Sequence, residues 1–267
     1  MRLRLSLNTH RPIMHLLRSI PKIVHTLALS ATLALTTVSA SASQRHFGFI
    51  YETTTLPQGA LDFENQATWK NNKNFDRFEF RHELEYGITD RFQAALYVAD
   101  WSLRNDAEHR RTMRYDATAL ELIYNLSNPS TSWLGSALYG EVKVGDRLLT
   151  LEGKLLLQKN LGPWIIAYNA SLEAAFEGAH LDERTGEMQN MLGISYELSH
   201  RLSIGSEVLQ ETEWPNWGKP ASSRVWAGPN LSYHQGRFFA VLSPLVQLTQ
   251  AKNEPDFQTR LIVGFSF

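Results

Sequence analysis

From residue 59 to the last residue, apolar side chains recur at every second position and almost nowhere at helical spacing. FEFRHELEY (78–86) sets Phe78, Phe80, His82, Leu84 and Tyr86 on one face and Glu79, Arg81, Glu83 and Glu85 on the other. LTLEGKLLLQ (149–158) sets Leu149, Leu151, Leu155 and Leu157 against Thr150, Glu152, Lys154 and Gln158, and MLGISYEL (191–198) alternates in the same way. A period of two belongs to strands whose two faces meet different surroundings. About twelve such segments, of common strand length, can be counted. The chain is therefore expected to be all-β.

The connections sort by length. GITD (87–90), SNPS (127–130), NLGP (160–163), SHR (199–201) and HQG (234–236) are tight and rich in turn-forming Gly, Pro, Asn and Ser. Longer polar connections lie between them: NNKNFD (71–76), RNDAEHRRT (104–112), GAHLDERTGE (178–187), EWPNWGKP (213–220) and AKNEPD (251–256), with VGDR (144–147) a short exception. Short turns at one end and long loops at the other describe a transmembrane antiparallel up-and-down β-barrel. Twelve strands is the expected count, with ten as the alternative.

The N-terminus reads differently. Arg2, Arg4, Arg11, Arg18 and Lys22 precede an acid-free apolar run (26–38) and the small residues Ala40, Ser41 and Ala42. That order predicts a cleavable signal peptide over 1–42, with Met14 as a candidate start, and a barrel over 43–267. Removing the signal leaves 21 Lys+Arg against 27 Asp+Glu, a net charge of −6, which argues against nucleic acid as a partner. Cysteine is absent, so neither disulfides nor thiol chemistry contribute. Beyond residue 42 no apolar run reaches the ~18 residues that a spanning helix needs.

Aromatic residues separate a membrane barrel from a soluble one. Tyr86, Phe92, Tyr124, Trp133, Trp164, Tyr168, Tyr196, Tyr233 and Phe238 gather beside the tight turns, as an interfacial girdle requires. The chain ends TRLIVGFSF (259–267), with alternate apolar residues finishing on Phe265 and Phe267. This ending resembles the C-terminal signal of Gram-negative outer-membrane barrels, which implies the barrel-assembly machinery as a partner and the outer membrane as the destination. LEYGITDRFQAALY (84–97), LELIYNLSNP (120–129) and LEGKLLLQKNLGPWIIAYN (151–169) resemble the small outer-membrane porins and transporters of the phenol-degradation MetA-pathway type. The resemblance is architectural. It implies a transport role without naming a solute.

Enzymatic constellations are weak. No H-x-S, HExxH, G-x-S-x-G or Gly-rich phosphate loop occurs. His82 with Asn65 reads as a polar pair within an apolar patch. His109 and His180, beside Asp106 and Asp182, sit in polar loops. HRRTMR (109–114) reads first as a solvated loop, with Arg contact to lipopolysaccharide phosphates as the alternative, and HLDERTGE (180–187) lacks the ligand spacing of a calcium loop. No enzyme, cofactor or metal is expected.

The inward face carries the functional expectation. By parity it receives Glu64, Glu79, Glu83, Glu85, Glu121, Glu141, Glu152, Glu173, Glu197 and Glu207, opposed by Arg81, Lys143, Lys154, Arg224 and Arg260. So many ionised groups require water or mutual pairing. The expectation is an outer-membrane, porin-like passive channel for small solutes, lined by these residues and preferring cations. A non-conducting structural or surface-binding barrel is the alternative, and a lipid hydrolase or protease the third reading.

Overall fold

The computed structural model describes residues 45–106 and 110–267; the segment read as a signal peptide lies outside the described residues. Twelve strands follow one another: β1 (Leu61–Asn72), β2 (Phe75–Thr89), β3 (Phe92–Asp106), β4 (Arg111–Ser127), β5 (Gly135–Gly145), β6 (Leu148–Leu161), β7 (Trp164–Glu177), β8 (Glu183–Ser199), β9 (Leu202–Pro215), β10 (Arg224–Gln235), β11 (Phe238–Gln247) and β12 (Phe257–Ser266). Each pairs antiparallel with its sequence neighbours, and β12 closes on β1. Asp62 lies opposite Ser266, and the Phe267 N–H donates to the Leu61 carbonyl at 2.8 Å. Closure leaves no strand edge with unpaired backbone groups in the bilayer.

All twelve alternating segments became strands. The loops are shorter than their polarity suggested, because β3 and β4 run into RNDAEHRRT and β8 begins at Glu183 within HLDERTGE. Hairpin pairing beyond the membrane satisfies backbone groups that water would otherwise have to serve.

The outer face is apolar. Leu84, Leu96, Leu120, Leu138, Leu155, Leu172, Leu192 and Leu261 are all exposed on the free barrel. At the tight-turn rim the girdle forms cross-strand pairs, with ring centroids 6.3 Å apart for Phe92–Tyr124, 4.7 Å for Trp164–Tyr196 and 5.3 Å for Phe238–Phe265. Toward the loop end a second aromatic cluster forms on β1–β3 and β12. Phe80 stacks on Trp101 at 4.1 Å, and Trp69 lies beside Phe78 and Phe257. An apolar wall between aromatic belts over a polar interior is the surface of a membrane barrel.

The lumen is not simply water. The segment before β1, residues 45–60, runs back into the barrel and fills its tight-turn half. Phe47, Phe49 and Ile50 pack against Ile165, Ala167, Met191, Leu209, Trp226 and Leu245 of the wall. Gly193 makes this approach feasible, since a Cβ there would stand 2.6 Å from the Phe47 ring.

Candidate functional site

A buried chain segment must have its backbone groups bonded, and the wall supplies partners from its side chains. The Gly48 and Phe49 N–H groups both donate to Glu207, each at 2.8 Å, and Glu207 also accepts from Ser243 Oγ at 2.6 Å. Asn169 takes both backbone polar groups of Tyr51: Oδ1 accepts its N–H at 2.7 Å and Nδ2 donates to its carbonyl at 2.9 Å. Gln158 accepts from the Thr53 N–H at 2.8 Å, Gln93 from the Leu56 N–H at 2.9 Å, and Asn125 donates to the Thr53 carbonyl. These carboxamides imitate the ladder that a neighbouring strand would offer. Gly48 is required where the segment touches the wall, because a Cβ there would stand 2.5 Å from Ser243 Oγ.

Charge fixes the start of the segment. Arg45 pairs with Glu64 at 2.6 Å. His46 Nδ1 lies 2.9 Å from Glu52 and Nε2 3.5 Å from Glu197. Burial disfavours the His46 imidazolium, but the Glu52 and Glu197 carboxylates outweigh it and raise its pKa to about 9. Burial likewise opposes the charge of Arg45, and the neighbouring Glu64 more than compensates, so its pKa rises.

Above the segment, toward the loops, lies a vestibule of about 600 Å³ bordered by β1–β7 and β12. Its cationic side chains are Arg77, Arg81, Arg104, Arg114, Lys143 and Arg260; its carboxylates are Glu79, Asp100, Asp116, Glu173 and Glu177. Arg81 pairs with Asp100 at 3.2 Å and lies 3.9 Å above the Tyr97 ring. Arg260 donates to Thr68 Oγ1 at 3.0 Å and to the Gly48 carbonyl at 3.2 Å, which ties the vestibule floor to the docked segment. On the opposite side of the lumen the β11–β12 connection folds inward. The Pro255 carbonyl accepts from Trp226 Nε1 and Gln247 Nε2, both at 2.8 Å, and Arg224 Nη1 holds Glu254 at 2.7 Å.

The fifteen residues assigned inward by parity divide by depth. Glu79, Arg81, Lys143, Glu173 and Arg260 border the vestibule. Glu64, Glu83, Glu85, Glu121 and Glu207 are buried at the level of the docked segment. Glu121 accepts from Tyr97 and from Tyr51, and Glu141 from Tyr139 at 2.8 Å. Glu152 and Lys154 pair at 3.1 Å, with the Lys154 ammonium 4.6 Å from the Tyr51 ring centroid. Glu197 stands at the tight-turn rim beside His46, and Arg224 gathers Glu187, Glu211, Glu213 and Glu254 at the loop end.

On the outer wall, His82 has both ring nitrogens occupied. Trp101 Nε1 donates to Nε2 at 3.0 Å, so Nδ1 carries the proton toward Asn65 Oδ1 at 2.7 Å. The ring is thus held as part of the aromatic patch. His109 lies outside the described residues.

Sequence reasoning missed the docked segment. RHFGFIYETTTLPQG (45–59) does carry a signal: four large apolar residues around a glycine, without an alternating partner. Inward Asn and Gln at 93, 125, 158 and 169 are the matching half.

No curated protein matches the chain in sequence. In fold it is similar to the COG4313 outer membrane channel from Pseudomonas putida F1, with a TM-score of 0.59 at 11% identity over 80% of this chain and 98% of that one. It is also similar to the NanC porin, with a TM-score of 0.53 at 8% identity over 77% of this chain and 98% of that one. The shared architecture, the apolar wall and the aromatic belts together describe an outer-membrane β-barrel. Residues 39–260 match the model of DUF6662, a family of unknown function, and the chain belongs to that family.

Proposed function

We propose that the protein is a narrow outer-membrane channel for small polar solutes, entered from the loop side and closed toward the periplasm by its own N-terminal segment. The observation that carries this reading is the vestibule: about 600 Å³ of lumen bordered by eleven charged side chains rather than packed ones. The likeness in fold to an outer-membrane channel and a porin supports it.

Selectivity follows from depth. Six cationic groups face five carboxylates in the vestibule, so the docked state should discriminate weakly by charge. The carboxylates behind the expected cation preference, Glu64, Glu83, Glu85, Glu121 and Glu207, lie beneath or against the segment. They would face the pore only when it leaves. The proposal therefore assigns the cation preference to the open state, where a low-dielectric lumen focuses their field.

Conductance in planar bilayers tests this. The full barrel should conduct little, and a chain lacking residues 45–56 should conduct steadily with a cation preference at low salt. That preference should fade toward 1 M salt, where screening shortens to about 3 Å. A correctly folded truncated barrel without conductance would instead support the non-conducting structural reading, which the close packing of the segment favours.

The contact with lipopolysaccharide is also a proposal. Arg104 and Arg111 border a groove of about 490 Å³ beside Trp69 and Phe78 near the loop end, a combination that suits phosphates above acyl chains. Arg111→Ala should reduce co-purifying lipopolysaccharide; an unchanged amount would remove the argument.

A further inference from the structure

Register places Glu64 of β1 opposite Glu83 of β2, and Asp62 opposite Glu85, all toward the lumen. Glu64, Glu83 and Glu85 are each at most 5% exposed, and one carboxylate oxygen from each lies within 4.8 Å of the others. Like charges at this separation repel strongly, and burial removes the water that would screen them.

The compensation on the page is incomplete. Among the described residues Arg45 is the cation paired with this trio, through Glu64. Glu83 accepts a bond from Gln66 Nε2 at 3.2 Å on Oε2, while its Oε1 is buried without a partner. The Glu85 carboxylate, 95% buried, accepts no hydrogen bond and forms no ion pair among the described residues. It borders a cavity of about 40 Å³ together with Glu64, Arg45 and Tyr51. That volume admits water, for which about 10–15 Å³ suffices.

We infer that this cluster is a calcium site. One guanidinium among these carboxylates, with Asp62 beside Glu85, leaves an excess of negative charge that a divalent cation offsets. Oxygens on a calcium shell of ~2.4 Å radius reach up to ~4.8 Å apart, and one oxygen of each carboxylate lies within that span of the others. An all-oxygen, anionic donor set suits this hard cation, whose flexible shell tolerates unequal spacing. Glu64, Glu83 and Glu85 provide the anionic ligands, and water completes the shell from the cavity. Because Glu64 also holds Arg45, the ion stiffens the anchor of the docked segment.

The test uses the mature barrel refolded in detergent free of lipopolysaccharide, with equilibrium dialysis against radioactive calcium. Wild type should bind one calcium per barrel. Glu83→Gln/Glu85→Gln should weaken that binding by about tenfold or more, while Glu183→Gln, exposed at the loop end, should leave it unchanged. Heat-modifiable migration on a gel reports that each variant is folded. Should the double variant fail to fold, Glu85→Gln alone and the wild-type thermal midpoint decide. Calcium should raise that midpoint by about 5 °C over chelator. Absence of bound calcium in folded wild type would overturn the inference, as would equal binding in the double variant. So would a midpoint indifferent to chelator, which would mean that protons neutralise the trio.

Discussion

Glu207 shows how much one side chain can organise. Its two oxygens accept from Gly48, Phe49, Ser243 and Asn230, so a carboxylate at the wall specifies the path of a separate segment. Bonds to a charged acceptor are worth roughly 1.5–3 kcal/mol each, and Glu207→Ala strands two buried N–H groups. Docking should weaken by at least roughly 3 kcal/mol, read as faster amide exchange at Gly48 and Phe49 with the barrel strands still protected. Unchanged exchange would contradict the role. His46 adds a pH dependence of definite sign. Its pKa is about 9 when docked and ordinarily 6.5. Below pH 6.5 both states are protonated and the full stabilisation is present; between 6.5 and 9 only the docked state keeps its proton, so stability falls; above 9 the contribution is gone. Exchange at the same amides should accelerate across that window, and His46→Gln should flatten the profile.

At the scale of the strand, alternation assigns opposite duties to neighbouring positions. Leu120 lies on the outer face four residues from the girdle residue Tyr124, which places it near the middle of the apolar band. Leu120→Arg should cost roughly 2–4 kcal/mol, measured by denaturant unfolding from lipid vesicles. Glu177→Gln, exposed at the vestibule, should stay within about 0.5 kcal/mol. Comparable losses at both would overturn the assignment of faces. The last strand carries a second duty. Phe265 stacks on Phe238, and the backbone of Phe267 closes the ladder on β1. Deleting Phe267 should lower the amount of assembled barrel in the outer membrane without reducing export, as expected if the assembly machinery reads this ending. Undiminished assembly would confine the residue to the girdle.

Across the whole molecule, twelve strands enclose more lumen than their own side chains fill, since eight-stranded barrels pack solid and sixteen-stranded ones hold a channel. Here the surplus is divided. The N-terminal segment takes the tight-turn half, the β11–β12 connection takes part of the loop end, and the vestibule keeps the rest. The strands close on themselves without help from the segment. A chain lacking residues 45–56 should therefore still fold and remain heat-modifiable, with a lower thermal midpoint because Phe47, Phe49 and Ile50 no longer bury their apolar area. Failure to form a barrel would make the segment part of the fold rather than its occupant.

The sequence by itself determined a run of about twelve antiparallel strands and which face of each is apolar. Those properties are local: a period of two, a turn every other connection and a ring at a fixed height are written in neighbouring residues, as at 78–86. Parity also placed Glu83 and Glu207 inside. It could not give their partners. Glu207 is separated from Phe49 by 158 positions, and Asn169 from Tyr51 by 118. Whether an inward carboxylate faces water, a backbone N–H or another carboxylate depends on what occupies the lumen, and closure of the barrel decides that. The docked segment has no period to betray it, because its backbone is bonded by side chains instead of by a strand. Only the tertiary structure turned a list of inward charges into a vestibule, an anchor and an acidic cluster.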